Sequence, residues 1–330
     1  MTEATAFWVE RPGVGALRTQ TLPPVGDDEV LVRTTFTGIS RGTETTVFLG
    51  KVPAGERERM RAPFQHGDFP GPVEYGYLNV GVVESGPGEL RGQAVFTLFP
   101  HQSSFVVPAD AVLPIPDGVP ARRAVLAGSV ETALNVLWDA SPLVGDRVAV
   151  IGAGMIGCCV ARLLRGIPES QVTLVDVDLS RRRVAELLGV GFAEPNEAPR
   201  DCDVVVDVSG AASGLQLALE CAATEGEVIE AAWFGDRPVS INLGSDFHSR
   251  RLSIRSSQVG MVAPRRRGRY STRDRLALAL RMLRDPAFDA LLSGESSWRD
   301  LPQVMAALAD GTFQADGRPV LCHTIDWEGA

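Results

Sequence analysis

Three glycines at a defined spacing are the residues of this sequence with the clearest chemistry. Gly152 and Gly154 follow the apolar run RVAVI, and Gly157 lies at the start of the next segment, MIGCCVARLLRG; this pattern predicts a strand, a tight turn and a helix. Glycine here allows the turn, lets a pyrophosphate approach the backbone, and lets the helix pack closely on the strand. The free N–H groups of the first helical turn then bind phosphate. We therefore predict a dinucleotide site formed by Gly152, Ala153, Gly154, Met155, Ile156 and Gly157.

Asp176 is expected to select the form of the cofactor. It belongs to the next apolar run, LVDVD, nineteen positions after Gly157. A carboxylate at that place accepts hydrogen bonds from ribose hydroxyls and repels a 2′-phosphate. The sequence therefore predicts NAD. NADP is the alternative, because Arg181 in the following SRRR segment offers a positive charge for a 2′-phosphate.

The segments around these residues follow two different patterns. From Thr5 to about Pro116, short β-type runs alternate with turn clusters such as PPVGDD and SGPGEL, which predicts an antiparallel β domain. From Ala121 onward, helical segments alternate with apolar strands, as in a parallel sheet covered on both faces. The last run, RPVLCHTIDW, is expected to rejoin the β domain. The predicted fold class is α/β, with a doubly wound parallel Rossmann sheet (134–257) inserted in a discontinuous, mainly antiparallel β domain (1–133 and 258–330).

Ligands of such sheets bind at the carboxyl ends of the parallel strands. Ser209 ends the run DVVVDVS, Ala232 follows the run GEVIE, and Ser257 and Gln258 follow the run LSIRS. We therefore expect these four residues to contact the cofactor.

Composition excludes several classes of protein. The 330 residues carry 32 Lys and Arg against 41 Asp and Glu, a formal charge of −9, which argues against nucleic acid as the main partner. The longest uncharged apolar stretch, 148–161, is too short to span a bilayer, and the N-terminal MTEATAFWVE lacks the features of a secretory signal. Because the five cysteines also show no C-x-x-C spacing, we expect a cytoplasmic protein without disulfides or a membrane partner.

The chain resembles the medium-chain dehydrogenase/reductase superfamily in TGIS near residue 40, GY-x3-GVV near residue 80, and IGAGMIG. Within it, GISRGTE, LFPHQ, VETALNVLWDA and FHSRRLSIRSSQVG resemble the subgroup that includes bacteriochlorophyllide a hydroxyethyl dehydrogenase. The resemblance covers nearly the whole chain. It implies that the β domain is a GroES-like catalytic domain, that segments 231–234 and 256–258 flank the nicotinamide, and that two chains pair as a homodimer.

The resemblance also implies that this chain lacks the catalytic zinc of other members. The positions matching the zinc ligands are Ser40 (or Arg41), Tyr77 and Gly128, and none of these is a good zinc ligand. No cysteine precedes Cys158, so the four-cysteine lobe that binds a structural zinc is absent as well. We therefore expect a metal-free enzyme.

Other groups must then donate and accept the proton during hydride transfer. His101 and Glu131 are predicted to carry this work at the reacting oxygen, with Tyr77, Thr43 and Glu44 as further candidates. Two structural alternatives stay open: His101 bonds backbone after Pro100, and Glu44 pairs with Arg318. The expected lining of the substrate pocket is Ser40, Phe99, Asn135 and Trp233.

The predicted activity is the interconversion of a secondary alcohol and a ketone, with a small molecule as the substrate and NAD(H) as the cofactor. One alternative of the same fold is a reductase of activated double bonds, as in quinone-oxidoreductase relatives. Another is a nucleotide-binding regulator without turnover. The arginines between 250 and 269 form either an anion site or a solvated basic loop.

Overall fold

The computed structural model describes residues 2–235, 237–315 and 318–330, with the backbone alone at 315, 318 and 319. Within these residues the helices are α1 (Arg41–Phe48), α2 (Ala121–Ala124), α3 (Ala127–Ala140), α4 (Met155–Arg165), α5 (Arg182–Leu188), α6 (Ala212–Cys221), α7 (Asp246–Ser249), α8 (Thr272–Met282) and α9 (Leu301–Ala309). The strands are β1 (Glu3–Arg11), β2 (Val14–Thr21), β3 (Glu29–Ser40), β4 (His66–Gly67), β5 (Val73–Glu74), β6 (Asn79–Ser85), β7 (Ala94–Thr97), β8 (Ser104–Pro108), β9 (Leu113–Pro114), β10 (Arg147–Ile151), β11 (Gln171–Val175), β12 (Gly191–Ala193), β13 (Val204–Asp207), β14 (Glu227–Glu230), β15 (Ser253–Ser256), β16 (Leu292–Ser297), β17 (Gln314–Ala315), β18 (Arg318–Pro319) and β19 (Cys322–Asp326).

The first compact unit contains residues 1–128 and 292–330. Its larger sheet has the order β16-β19-β3-β6-β7-β9, with β8 also paired to β3, and a smaller sheet has the order β2-β1-β5-β4. Val30 and Val32 of strand β3 point to the same face of the sheet and pack in one core cluster with Phe105. Strand β19 pairs antiparallel with β3, with Cys322 opposite Ser40, which confirms that the last strand returns to the β domain.

The second compact unit contains residues 129–291. Its sheet has the order β12-β11-β10-β13-β14-β15, and every adjacent pair is parallel. Val148 and Val150 of β10 and Val205 of β13 are fully buried, as expected for central strands covered on both faces. The predicted Rossmann sheet is therefore confirmed. Strand β12 and helix α7 were not predicted, because three and four residues are too few to show a period.

This unit continues to Leu291, beyond the expected boundary at residue 257. Helix α8 begins with a capping box in which Ser271 and Asp274 bond each other's backbone N–H groups. After it, Asp285 accepts a hydrogen bond from Arg162 of α4 over 2.6 Å. Segment 258–291 therefore packs on the Rossmann helices, whereas the sequence prediction assigned it to the β domain.

No helix in the described part of the chain is both long enough and apolar enough to cross a membrane.

Candidate active site

The glycine-rich turn between β10 and α4 has the geometry that the sequence predicts for a phosphate-binding loop. Gly152 has a φ of +104°, and a Cβ there would lie 2.9 Å from the Cα of Ser209. A Cβ at Gly157 would lie 1.9 Å from the carbonyl oxygen of Gly152. Close packing therefore requires glycine at both positions.

Gly154 differs from the other two glycines, because a Cβ added to it would meet no atom within 4 Å. Gly154 is the N-cap of α4, and no side chain of the described residues caps this end of the helix. The first N–H groups of a helix have no acceptor within the helix, so those of Met155 and Ile156 remain available to an anion. An open space in front of uncapped N–H groups fits a pyrophosphate.

Asp176 lies beside this loop at the end of β11. Its Oδ2 accepts a hydrogen bond from the Ala153 N–H over 2.6 Å, and its Oδ1 accepts one from the Asp178 N–H over 2.8 Å. The side chain is half-buried, and each carboxylate oxygen keeps a second lone pair for a ribose hydroxyl. The Ala153 amide, however, is already bonded to Asp176.

Arg181 is less available than the sequence suggested. Its side chain is only 8% exposed, and its Nε lies 3.3 Å from the Asp178 carboxylate. Arg182 stacks on the Phe192 ring, with 4.9 Å between guanidinium carbon and ring centroid. The positive charge of Arg181 therefore already has a carboxylate partner within the folded unit.

The other predicted cofactor residues lie at the carboxyl ends of β13, β14 and β15. The Ser209 N–H donates to Asp207 Oδ1 over 2.9 Å, and the Ala232 N–H donates to Glu230 Oε1 over 2.6 Å. The Ser257 hydroxyl donates to Asp139 Oδ2 over 2.7 Å. Ser209, Ala232 and Ser257 are therefore held by carboxylates of their own unit, whereas the side chains of Trp233 and Gln258 are exposed.

A pair of carboxyl groups that the sequence analysis missed lies under these loops. Asp207 and Glu230 are opposite each other in the register of β13 and β14, and their side chains are hydrogen bonded. Asp207 is fully buried. Asp207 Oδ2 and Glu230 Oε2 are buried and have no hydrogen-bond partner among the described residues, and a proton shared between the two carboxyl groups would satisfy both oxygens.

Burial and the negative charge of Asp207 raise the pKa of Glu230 to about 8. Burial also raises the pKa of Asp207. Both acidic residues directly follow runs of valine and isoleucine, and this position at two adjacent strand ends is the signal that could have found them.

In the first unit, three hydroxyl side chains come together where β3 ends and α1 begins. The Tyr77 hydroxyl donates to Ser40 Oγ over 2.7 Å and also bonds the Thr43 side chain. All three side chains are partly exposed. Burial, together with the charge of Glu44, raises the pKa of Tyr77 to about 12, so Tyr77 keeps its proton at neutral pH.

His101 is a buried member of a hydrogen-bonded chain beside these hydroxyls. Its side chain is 1% exposed, its Nε2 lies 2.7 Å from Glu44 Oε2, and its Nδ1 lies 2.7 Å from Thr37 Oγ1. The Trp327 indole N–H donates to the same Thr37 oxygen over 2.9 Å, so Thr37 can donate to His101 and His101 to Glu44. The other Glu44 oxygen accepts the Ser40 N–H over 2.7 Å.

These contacts change the expectation for His101 and Glu44. Both imidazole nitrogens are occupied by side chains, not by backbone, so the turn-bonding alternative is wrong. The geometry favours a positioning role for both residues, in which Glu44 orients Ser40 at the start of α1. Pairing of Glu44 with Arg318 falls on a side chain outside the described residues.

Three further predicted residues have partners that leave little capacity for a substrate. Phe99 is buried and stacks on Phe105, with 3.9 Å between ring centroids, so it belongs to the core and not to an open pocket wall. In the second unit, Glu131 Oε1 accepts a hydrogen bond from Arg275 over 3.0 Å. The Asn135 amide bonds both Arg275 and the backbone of the loop after β15.

The residues present do not fit a catalytic zinc. The three matching positions offer two hydroxyls and Gly128, where a Cβ would lie 2.7 Å from Leu78 Cδ2. Hydroxyl oxygens are poor ligands for zinc compared with thiolates and imidazoles. In the described ranges, no three His, Cys, Asp or Glu side chains are grouped as metal ligands would be.

The comparisons with known proteins identify the general class. No protein-family model matches the chain. The D-guloside 3-dehydrogenase of Shigella flexneri is 26% identical over 256 residues, which cover 69% of this chain and 73% of that protein.

Solved structures resemble this chain over nearly its full length. An alcohol dehydrogenase of Escherichia coli CFT073 complexed with NADH has a TM-score of 0.77 at 16% identity, covering 99% of this chain and 100% of the other. A zinc-binding dehydrogenase of Sinorhizobium meliloti 1021 bound to NADP has a TM-score of 0.77 at 18% identity, with the same coverage.

These likenesses confirm the predicted fold, a Rossmann sheet inserted in a GroES-like domain. Together with curated relatives that are dehydrogenases, they place the chain among the oxidoreductases.

Proposed function

We propose that this chain is a zinc-independent dehydrogenase, of the subgroup described above, that interconverts a secondary alcohol and a ketone with NAD(H). The observation that carries this proposal is the 2.7 Å hydrogen bond from Tyr77 to Ser40. These two hydroxyls occupy positions that match zinc ligands in the resembling enzymes. The chain thus offers proton donors to a substrate oxygen in place of a metal.

The direction of the hydrogen bond assigns a task to each hydroxyl. Tyr77 donates to Ser40, so the Ser40 hydroxyl keeps its own proton to donate to a substrate oxygen. The partner Tyr77 makes Ser40 a stronger donor, because hydrogen bonds in a chain polarise one another. Thr43 is the third group through which the proton can move, and Glu44 fixes the Ser40 backbone.

The bound cofactor would carry the hydride at its nicotinamide C4, given up by NADH to a ketone and taken up by NAD from an alcohol. The turn 152–157 would hold the pyrophosphate, and Asp176 would hold the adenosine ribose. Arg181 is already paired with Asp178, and Asp176 is negatively charged. Both features support NAD over NADP. Val177 and Leu179, which are 83% and 54% exposed, offer apolar surface beside Asp176 for the adenine ring.

The proposal is tested by offering the purified protein NADH with panels of ketones and of enones, and NAD with secondary alcohols. We expect ketone reduction and alcohol oxidation, with deuterium from C4-labelled NADH appearing on the product carbinol carbon. Transfer of deuterium only to the β-carbon of enones would contradict the proposal and support the double-bond reductase. Cofactor binding without turnover on any panel would support a regulator instead.

A further inference from the structure

The loop between β15 and α8 is held by one face of helix α3. Glu131, Asn135 and Asp139 are spaced four residues apart and therefore share that face. The Asn135 side chain donates to the Gln258 carbonyl over 3.2 Å and accepts the Ala263 N–H over 3.0 Å. With the Ser257 bond to Asp139, α3 thus fixes both ends of segment 257–263.

Arg275 of α8 holds the middle of the same loop. Its side chain is 1% exposed, and its guanidinium donates to the carbonyls of Val259 and Met261. The same guanidinium donates to Glu131 over 3.0 Å and to Asn135 Oδ1 over 2.5 Å. Arg275 therefore links α3 and the loop through four acceptors.

Polar contacts, and not apolar packing, determine the backbone conformation of residues 257–261. None of these five residues is buried, and the first buried side chains of the loop are Val262 and Ala263. A buried ion pair is also a costly way to gain stability, because desolvation opposes the attraction between its charges. Burial indeed raises the pKa of Glu131 against the influence of Arg275. We therefore interpret the cluster as fixing the backbone geometry of the loop and not as a source of stability.

The position of the loop indicates which part of the cofactor it faces. Asp176 directly follows β11, which lies on one side of β10, the strand before the glycine-rich turn. Strands β13, β14 and β15 lie on the other side of β10. If the adenosine half binds at β11 and the pyrophosphate at β10, the nicotinamide half extends toward the ends of β13 to β15.

We propose that Arg275, together with Glu131 and Asn135, is a positioning device that sets the backbone of residues 257–261 for the nicotinamide ring of the cofactor. This inference rests on the proposed NAD(H) site. It replaces the expected acid–base role of Glu131 with a role that acts through the loop.

The test compares the affinity for NADH with the affinity for ADP-ribose, which lacks the nicotinamide. Arg275→Lys keeps a positive charge opposite Glu131 but loses the planar fork that reaches Asn135 and the two carbonyls. We expect NADH to bind about tenfold more weakly, as when one or two hydrogen bonds are lost, while ADP-ribose affinity stays unchanged. Titration calorimetry measures both ligands.

A second variant keeps the test decisive if the lysine disturbs folding. Arg275→Met combined with Glu131→Leu removes both buried charges at similar volume, a change that proteins often tolerate. The same selective loss for NADH is expected. The matched control is Arg162→Met with Asp285→Leu, which removes another ion pair of the same unit, joined over 2.6 Å, and should leave the NADH to ADP-ribose ratio unchanged.

Equal weakening of both ligands, or of neither, in a folded variant would overturn the inference and leave the cluster as ordinary structure. Failure of the proposed NAD(H) site would give a different result, in which the unaltered protein binds neither NADH nor ADP-ribose. The inference about Arg275 would then fail together with the proposed site.

Discussion

Tyr77 and His101 illustrate how the surroundings of a residue decide what it can do. Histidine has the ordinary pKa that suits acid–base work near neutral pH, and this made His101 the expected choice from sequence. In the structure both of its nitrogens are bonded, to Glu44 and Thr37. Tyr77 is only partly buried and lies in contact with Ser40. The residue type was visible in the sequence, but its partners, from distant segments, were not.

Removing the Tyr77 hydroxyl should slow the reaction and leave cofactor binding intact. We expect Tyr77→Phe to lower kcat about 10²–10⁴-fold, the usual range for loss of an acid–base group, with NADH affinity unchanged. Steady-state kinetics and NADH fluorescence titration measure the two quantities. Tyr270→Phe, which changes a tyrosine packed on Trp138, is the control and should retain full activity. Full activity of Tyr77→Phe would assign the proton to another group.

Asp176 should determine the preference for NADH over NADPH. In Asp176→Ala the repulsion of a 2′-phosphate disappears, so the ratio of the two dissociation constants should move toward one. Calorimetric titration with both cofactors measures it, and Asp201→Ala, an exposed aspartate of the same unit, is the control. Tighter binding of NADPH by the unaltered protein would contradict this assignment.

At the scale of elements, long periodic segments were predictable and short or irregular ones were not. The strands β10, β11, β13 and β14 and helices α3, α4 and α8 follow from apolar runs and helical periodicity in the sequence. Strand β12, at three residues, shows no pattern of its own. The extent of the second unit was missed because Arg275 and Asp285 hold 258–291 there through contacts with α3 and α4, and such contacts leave no local signal.

The carboxyl pair at the ends of β13 and β14 predicts a pH dependence of stability. Burial and Asp207 raise the pKa of Glu230 from 4.5 to about 8 in the folded chain, so between these values unfolding releases a proton. The contribution of the pair to stability is therefore fully present below about pH 4.5 and is lost as the pH rises through about 8.

Glu230→Gln removes this proton and should change the pH profile of unfolding. The melting temperature of the variant relative to the unaltered protein should rise from pH 5 to about pH 8 and then level off, because only the unaltered protein loses a shared proton over that interval. Thermal unfolding followed by circular dichroism measures it. Glu220→Gln, at an exposed pair with Arg200, is the control. A melting-temperature difference that is the same at every pH would contradict the shared proton.

At the scale of the whole molecule, we expect two chains to associate through strand β15. It is an edge strand of the parallel sheet, and Ile254 on it is 36% exposed. An unpaired edge offers backbone groups to a second copy. Ile254→Lys should therefore shift the mass measured by light scattering from two chains to one, whereas Leu187→Lys, also exposed, should not. A single-chain mass for the unaltered protein would contradict the dimer.

We propose that this fold performs dehydrogenation without zinc, and the dependence of turnover on metal separates this mechanism from a zinc-dependent one. The protein is dialysed against a strong chelator, its metal content is measured by elemental analysis, and NADH-dependent ketone reduction is assayed in the same sample. We expect unchanged turnover with zinc far below one atom per chain. One zinc per chain, with activity lost on its removal and restored by its return, would show that the reaction depends on the metal.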